Sequence, residues 1–390
     1  MMTSIDVMAA HNPFVYGEIV PLEAFADRVI ELDRLVTDLA EGQKVFLISP
    51  RRYGKSSLVR QALAQLARRR ILTLELTVSS FSSYVAFLEG YARALLALET
   101  KAEKARGWLR ELFPGSRPDV RLESGPGGAA LAVSFPAVRT PRDASRLAEE
   151  VFALPGLLAE RLHRQIVIAL DEFQAVTAFD NGQVEHALRA AVQQQRQVGY
   201  VFAGSEPSLM EQMVGMKRPF YKAGPVMRLE RIPADEFAAF LEARFAATGL
   251  KPEAGLGDAI VDLAGNLPYD VQRLAHETWD RATTLKRRTV GLEDLHATLH
   301  RLLGEQQMLF EATWLRLTLG QRAALRAVVL EQGVELLATE TRHRHRLGGA
   351  STVQTALAAL MRQDLVAREP DGRYVVVDSL LREWVARRTY

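Results

Sequence analysis

The stretch that most constrains this chain is Ser49-Pro50-Arg51-Arg52-Tyr53-Gly54-Lys55-Ser56-Ser57. It follows Val45-Phe46-Leu47-Ile48, a short apolar run that reads as a buried strand. It precedes Ser57 to Arg70, where Leu58, Ala62, Leu63 and Leu66 fall on one helical face. A strand, a tight basic turn and a helix in that order place a phosphate-binding loop at the turn. The P-loop pattern is G-x-x-x-x-G-K-[ST]; Gly54, Lys55 and Ser56 match it, and Ser49 stands where the first glycine would be. Gly54 lets the backbone curl so that N–H groups point at phosphate oxygens, and the next helix presents its positive end. Lys55 then serves the β- and γ-phosphates, and the Ser56 hydroxyl is a Mg²⁺ ligand. A chance strand–turn–helix with a basic loop is the rival reading.

A second motif supports the first. Ile166-Val167-Ile168-Ala169-Leu170 is another apolar run, and it ends in Asp171-Glu172. Ligands of open α/β sheets sit at the carboxyl ends of strands. Asp171 is therefore the candidate metal-side carboxylate, and Glu172 the candidate base that orients and deprotonates water. The rival is a solvated acidic turn. A further strand, Tyr200–Ala203, runs into Gly204-Ser205. Ser205 either reaches a γ-phosphate or the attacking water, or caps the following helix.

The remaining strands are Ile71–Val78 and Val226–Ile232, with helical stretches near Ser83–Leu98, Lys101–Phe113 and Arg142–Arg164. VRLES and ALAVSF around GPGG read as a β-hairpin. Apolar strands alternating with helices predict an α/β fold, a P-loop NTPase parallel sheet with helices on both faces. From Pro233 to about Trp314 only helical patterns occur. From Leu319 to Tyr390, three helices (GQRAALRAVVLEQG, LLATETRHR, STVQTALAALMRQD) precede a strand pair, LVAREPDGRYVVV, bent at Pro370-Asp371-Gly372. That is a winged helix-turn-helix pattern. The expected domains are a core over 1–232 with the hairpin at about 117–136, a helical lid over 233–316 and a winged domain over 317–390.

Composition excludes some classes. Of 390 residues, 48% are apolar and 25% charged, as in globular proteins, and no apolar run is long enough for a membrane span. The chain has no cysteine, so neither disulfides nor Cys-ligated metals contribute. The N-terminus lacks a signal-peptide pattern, and a cytoplasmic location is expected. The net charge of +2 does not mark the whole chain as a nucleic-acid binder. Coding bias accounts for 41 Arg against eight Lys.

SPRRYGKSSL, IALDEFQAV, VFAGSEPSLM, RPFY and GNLPYDVQRL, in this order, resemble the archaeal and bacterial STAND-type ATPases of the AAA+ class, the MNS clade. HNPFVYGEIV…FADRVIELDRL is similar to that family's N-terminal segment, and the hairpin and winged C-terminus also fit. The resemblance implies ATP or ADP with Mg²⁺, held between a P-loop core and a helical lid. It implies that Gly54, Lys55, Ser56 and Ser57 hold phosphates, with Arg52 and Tyr53 also among the nucleotide-binding residues. Asp171 and Ser56 would serve the metal, Glu172 the water, and Ser205 would be the sensor. Asn12, Pro13 and Phe14 would lie near adenine, and Pro268, in Gly265-Asn266-Leu267-Pro268, would be the lid proline on the nucleotide. Arg28 stands where the family often has Gly-Arg, with Asp27 in place of the glycine.

Two features stay open on the sequence. Arg218, in Lys217-Arg218-Pro219-Phe220-Tyr221, is either an arginine finger, in cis or in a neighbouring subunit, or a surface arginine on loop carbonyls. Arg342-His343-Arg344-His345-Arg346 either contacts DNA phosphates beside a recognition helix presenting Ser351, Thr352, Gln354, Thr355 and Arg362, or caps a solvated helix end. From Gly320 to Tyr390 there are 11 Arg and no Lys against 8 acidic residues. The expected function is an ATP-hydrolysing switch whose nucleotide state repositions lid and winged domain. The alternative is a DNA-associated AAA+ ATPase of initiator or transposition-helper type. A protein partner fits the winged domain as well as duplex DNA does.

Overall fold

The computed structural model describes residues 11–17, 28–98, 113, 118–125, 128–179, 182–369 and 371–388. The helix expected over Lys101–Phe113 lies outside these residues apart from Phe113, as do Asp27, Pro126, Gly127 and Pro370. Two compact units emerge. One is Ile19–Arg231; the other joins Met1–Glu18 to Ile232–Tyr390. Residues 11–17 thus group with the residues from Ile232 onward rather than with the sheet.

In the first unit the elements run α1 (Val29–Ala40), β1 (Lys44–Ile48), α2 (Lys55–Arg68), β2 (Leu72–Thr77), α3 (Tyr84–Leu96), β3 (Asp119–Gly125) and β4 (Gly128–Ser134). Then come α4 (Pro141–Leu162), β5 (Ile166–Asp171), α5 (Gln183–Gln194), β6 (Val198–Gly204), α6 (Pro207–Val214) and β7 (Val226–Arg228). The sheet has five parallel strands in the order β2-β5-β6-β1-β7. The central strands β5 and β6 are buried throughout, whereas β2, at the edge, is half-buried. β7 is three residues long rather than the seven of Val226–Ile232, although Leu229 still donates one ladder bond to Ile48.

Alternation along each strand divides the core. Phe46, Ile48, Ile168, Leu170, Tyr200 and Phe202 join one apolar cluster with α3, α4 and α5. Phe202 is its aromatic centre, with ring centroids 4.9 Å from Phe46, 4.6 Å from Phe173 and 5.3 Å from Phe220. The intervening Val45, Leu47, Val167 and Val201 are also fully buried, on the face where α1 and α2 pack together. Local chemistry sets the helix starts. Ser83 caps α3, and Thr140 with Asp143 forms a capping box on α4, with Pro141 at its first position. The hairpin β3–β4 forms as expected, antiparallel from Asp119↔Ser134 to Gly125↔Gly128.

The second unit contains α7 (Ala234–Ala247), β8 (Lys251–Pro252), α8 (Leu256–Leu263), α9 (Pro268–Thr284), β9 (Thr289–Val290) and α10 (Leu292–Arg316). It continues with α11 (Leu319–Leu330), α12 (Thr339–Arg344), α13 (Ala350–Arg362), β10 (Val366–Arg368), β11 (Tyr374–Val376) and α14 (Ser379–Arg387). The parallel pair β8–β9 corrects the expectation that only helices lie between Pro233 and Trp314. A two-residue strand carries no periodicity to read. α14, capped by Asp378, closes the winged region beyond the expected wing β10–β11.

Residues 11–17 lie along α7 and α9. Phe14, 1% exposed, packs its ring 4.6 Å from Phe245. Its carbonyl meets His276 Nδ1 at 2.6 Å, and the Asn12 amide donates to the His276 carbonyl and to Asp280. The Tyr16 hydroxyl donates to Glu277 at 2.6 Å.

Candidate functional site

The site lies where β1, β5 and β6 end. β1 delivers the chain to Ser49, which is fully buried. Its hydroxyl donates to the Pro50 carbonyl at 3.0 Å, folded onto its own loop, and its φ is not in the left-handed region. A side chain in place of the first P-loop glycine is therefore accommodated. Gly54 does need its freedom: φ is +85°, and a Cβ there would meet nothing within 4 Å, so conformation and not space selects glycine. Arg52 holds a similar φ of 71°.

Lys55 opens α2 and is 6% exposed. Its ammonium donates to Asp171 Oδ1 and reaches Glu172 Oε1 at 3.4 Å. Ser56 Oγ donates to Asp171 Oδ2 at 3.0 Å. The two sequence motifs, 116 residues apart, thus converge through side chains. Ser205, 6% exposed, donates to Glu172 Oε2 at 2.5 Å. It does not cap α6, whose N-cap is Glu206 with no side-chain cap.

Glu172 stands just past β5 with φ 51°, a left-handed conformation that costs roughly 1–3 kcal/mol in a non-glycine residue. That turn aims its carboxylate back at Lys55 and Ser205. Burial pushes the Glu172 carboxyl up. The Ser205 hydrogen bond, the Lys55 charge and the Gln174 hydrogen bond together outweigh burial and hold it below the ordinary value of 4.5. Glu172 is an ionised acceptor near neutral pH.

Three contacts were not found by sequence reasoning. Gln174, 5% exposed, donates to Glu172 Oε2 at 2.6 Å and to Glu206 Oε1 at 3.4 Å, while its Oε1 has no partner. Gly204 makes room for it, because a Cβ there would fall 2.8 Å from that oxygen and 2.4 Å from Met210. Arg28, 6% exposed, donates to the carbonyls of Tyr53 at 3.4 Å and Glu230 at 2.5 Å. Arg231 bonds the Tyr53 hydroxyl at 3.1 Å and lies over its ring. The only sequence signal for these was Gln174's place in DEFQ and the Arg28 position.

Arg218 is placed differently. Its guanidinium bonds Glu185 at 2.9 Å, and Glu185 is 1% exposed. Burial pushes the Glu185 carboxyl up, against the pull of Arg218. Asn12, Pro13, Phe14 and Pro268 belong to the second unit. There the amide of Asn12 is taken up by His276, Asp280 and the Phe14 N–H, and Arg244 donates to the Pro13 carbonyl at 2.9 Å. Asn266, at φ 54°, donates to the Ile232 carbonyl, and Pro268 is the first residue of α9.

In the winged region Ser351, Thr352, Gln354, Thr355 and Arg362 are exposed on α13, over buried Val353, Leu357 and Leu360. Of the basic run, Arg344 pairs with Glu331 at 2.9 Å and Glu340 at 2.8 Å. Arg342 bonds the Leu337 carbonyl and Thr339.

A carboxylate, a hydroxyl and a buried ammonium on one strand–loop–helix edge are an oxygen-rich, charge-balanced set that fits Mg²⁺ and a polyphosphate. Among the described residues no cluster of three His, Cys, Asp or Glu side chains could hold a metal ion unaided.

Comparison with known proteins agrees with this architecture. Residues 308–387 match the family model described as a probable winged helix domain. No curated protein matches the chain. Among solved structures, the Walker-type ATPase PABY2304 of Pyrococcus abyssi is similar, at 16% identity and a TM-score of 0.60, over 96% of this chain and 99% of that one. The Aeropyrum pernix ORC2 protein, solved as ADPNP–ADP complexes, has a TM-score of 0.53 at 12% identity, covering 96% of each chain. The Aeropyrum pernix ORC1 protein, solved in complex with DNA, has a TM-score of 0.51 at 14% identity, covering 93% of each. The chain has the α/β fold of P-loop ATPases, a parallel five-stranded sheet flanked by helices, followed by a winged helix domain. Among the described residues no helix is long and apolar enough to cross a membrane.

Proposed function

We propose that this protein is a Mg²⁺-dependent ATPase of the STAND type that works as a nucleotide-driven switch. The observation that carries the reading is the convergence of Lys55 and Ser56 on Asp171 and Glu172. Lys55 is desolvated and already neutralised by two carboxylates, so it is poised to exchange them for the β- and γ-phosphates of ATP. Ser56 and Asp171 are the residues that would hold Mg²⁺, which when bound neutralises charge on the phosphates. Glu172, ionised and oriented by Ser205 and Gln174, accepts a proton from the attacking water. Tyr53 gives the switch a route outward: through Arg28 and Arg231 the phosphate loop is tied to Glu230 and Arg231, from which the chain continues at Ile232 into the second unit.

The test separates binding from chemistry. Glu172→Gln keeps size but removes the base. ATP affinity by titration calorimetry should hold, while hydrolysis should fall roughly 10²-fold or more. Turnover at the parental rate would exclude Glu172 as the water-activating group.

A second reading, a DNA-associated ATPase of initiator or transposition-helper type, is favoured by the exposed polar face of α13. The similarity to ORC1, a protein solved in complex with DNA, also supports it. Turnover stimulated by duplex, and lost as salt rises, would select this reading. Slow turnover with retained ADP would select the switch.

A further inference from the structure

The edge of the sheet opposite the phosphate loop carries a feature that neither motif uses. α2 ends at Arg68, and Arg69 and Arg70 lead into β2; α4 ends at Leu162, and His163 and Arg164 lead into β5. Because β2 and β5 are neighbours, with Leu72 N donating to the Gln165 carbonyl, these two turns lie side by side. Both are tight, with Arg70 at φ 64° and His163 at φ 49°. Arg164 ties them together, its guanidinium donating to the Arg70 carbonyl at 3.1 and 2.5 Å. Between them opens a cleft of about 700 Å³ lined by Arg69, Arg70, Ile71, His163, Arg164 and Gln165.

Helix capping does not account for the charge. Each helix end carries about half a negative charge, so the ends of α2 and α4 together offset about one cation, and Glu160 offsets another. Four exposed arginines, Arg68, Arg69, Arg70 and Arg164, stand here. Among the described residues, no carboxylate pairs with Arg68, Arg69, Arg70 or Arg164. The local excess is about two positive charges. Arg196, exposed and just before β6, the next strand in the sheet, continues the rim.

We propose that this cleft is a second ligand site, which grips the phosphodiester backbone of a nucleic acid without reading its bases. Guanidinium forks match phosphate oxygens in pairs. The one aliphatic lining residue, Ile71, is buried, so the cleft offers no apolar anchor of the kind that carries protein–protein contacts. Strand starts about 4.8 Å apart spread the arginines of β2, β5 and β6 over about 10 Å, close to three base pairs of rise. The site draws on neither the P-loop nor the winged domain.

Fluorescence anisotropy of the full chain with labelled duplexes of unrelated sequence, across a salt series, tests it. Each lost phosphate contact lowers the log–log salt slope by about 0.9 on B-DNA. Arg69→Gln with Arg70→Gln and Arg164→Gln should lower it by about 2.7, equally for every sequence. Arg164 also bridges the two turns, so Arg68→Gln with Arg69→Gln, which removes no hydrogen bond seen here, is the second variant; its slope should drop by about 1.8. Arg342→Ala with Arg346→Ala, on the winged domain, should leave this contribution in place, which separates failure of the cleft from failure of the winged domain. Parental slopes in both cleft variants would overturn the proposal. So would absence of binding by the parent at low salt, or displacement of duplex by polyglutamate as readily as by unlabelled duplex.

Discussion

Replacing Lys55 with alanine should do two separable things. Lys55 is 6% exposed and pairs with Asp171, whose side chain is 10% exposed. Removing one partner of a buried pair leaves the other charge uncompensated, which typically costs about 3–5 kcal/mol. In a unit of this size 1 kcal/mol moves the melting temperature by about 2–4 °C, so Lys55→Ala should melt about 10 °C below the parent. ATP affinity should fall by at least about tenfold, because the phosphates lose their buried ammonium. The two effects part company in the double variant. Lys55→Ala with Asp171→Asn no longer strands the Asp171 charge: the amide that replaces the carboxylate still has a partner in Ser56, and Glu172 keeps its donors Ser205 and Gln174. At least half of the lost stability should return, while ATP affinity should not. Differential scanning fluorimetry and titration calorimetry on the four proteins of the cycle give both numbers. A Lys55→Ala protein that melts with the parent, or a double variant that melts no higher than Lys55→Ala, would refute the buried pair. Undiminished ATP affinity in Lys55→Ala would refute the P-loop assignment.

Other consequences concern pH and Arg218. The folded Glu172 carboxyl lies below its ordinary value of 4.5, so its contribution to stability is complete above that pH and is lost as pH falls through the folded value. Denaturant midpoints between about pH 5 and pH 3 should therefore fall less steeply in Glu172→Gln than in the parent. Burial, then the Glu277 hydrogen bond, pushes the Tyr16 hydroxyl up to about 12 from 10.0. The folded chain holds this proton longer than the unfolded one, so the contribution is whole below pH 10 and disappears as pH climbs to about 12; Tyr16→Phe should flatten that alkaline loss. Arg218→Ala leaves the buried Glu185 without its cation and should cost about 1–2 kcal/mol after screening. If Arg218 also acts in a neighbouring subunit, mixing Arg218→Ala with Glu172→Gln should restore turnover that neither has alone; no restoration would confine it to holding Glu185.

What could be read from the chain alone was short-range. Four adjacent apolar residues before SPRRYGKSS are enough to mark β1, because a parallel strand buried on both faces admits little else. Ser83 marks a helix start, because a cap acts on N–H groups two or three residues away. The same logic located Asp171 and Glu172 at the end of β5 and the wing around Asp371-Gly372. It failed where local signal is weak: the two-residue strands β8 and β9, the short β7, and α14 beyond the wing.

What the tertiary structure alone decided depends on which strands become neighbours. β6, more than 140 residues after β1, inserts between β1 and β5, and this brings Ser205 onto Glu172. Gln174 acquires its role only because Gly204 leaves space beside it. Arg28 and Arg231, at opposite ends of the first unit, meet on Tyr53, and Arg218 finds Glu185 on a helix that no spacing rule connects to it. The cleft between Arg70 and Arg164 exists because β2 and β5 pair in parallel, so that the turns before them share one edge. A side chain's nature and its place on a helix or strand follow from neighbours a few bonds away. Its partner follows from burying apolar faces separated by a hundred residues or more, which only the packed core resolves.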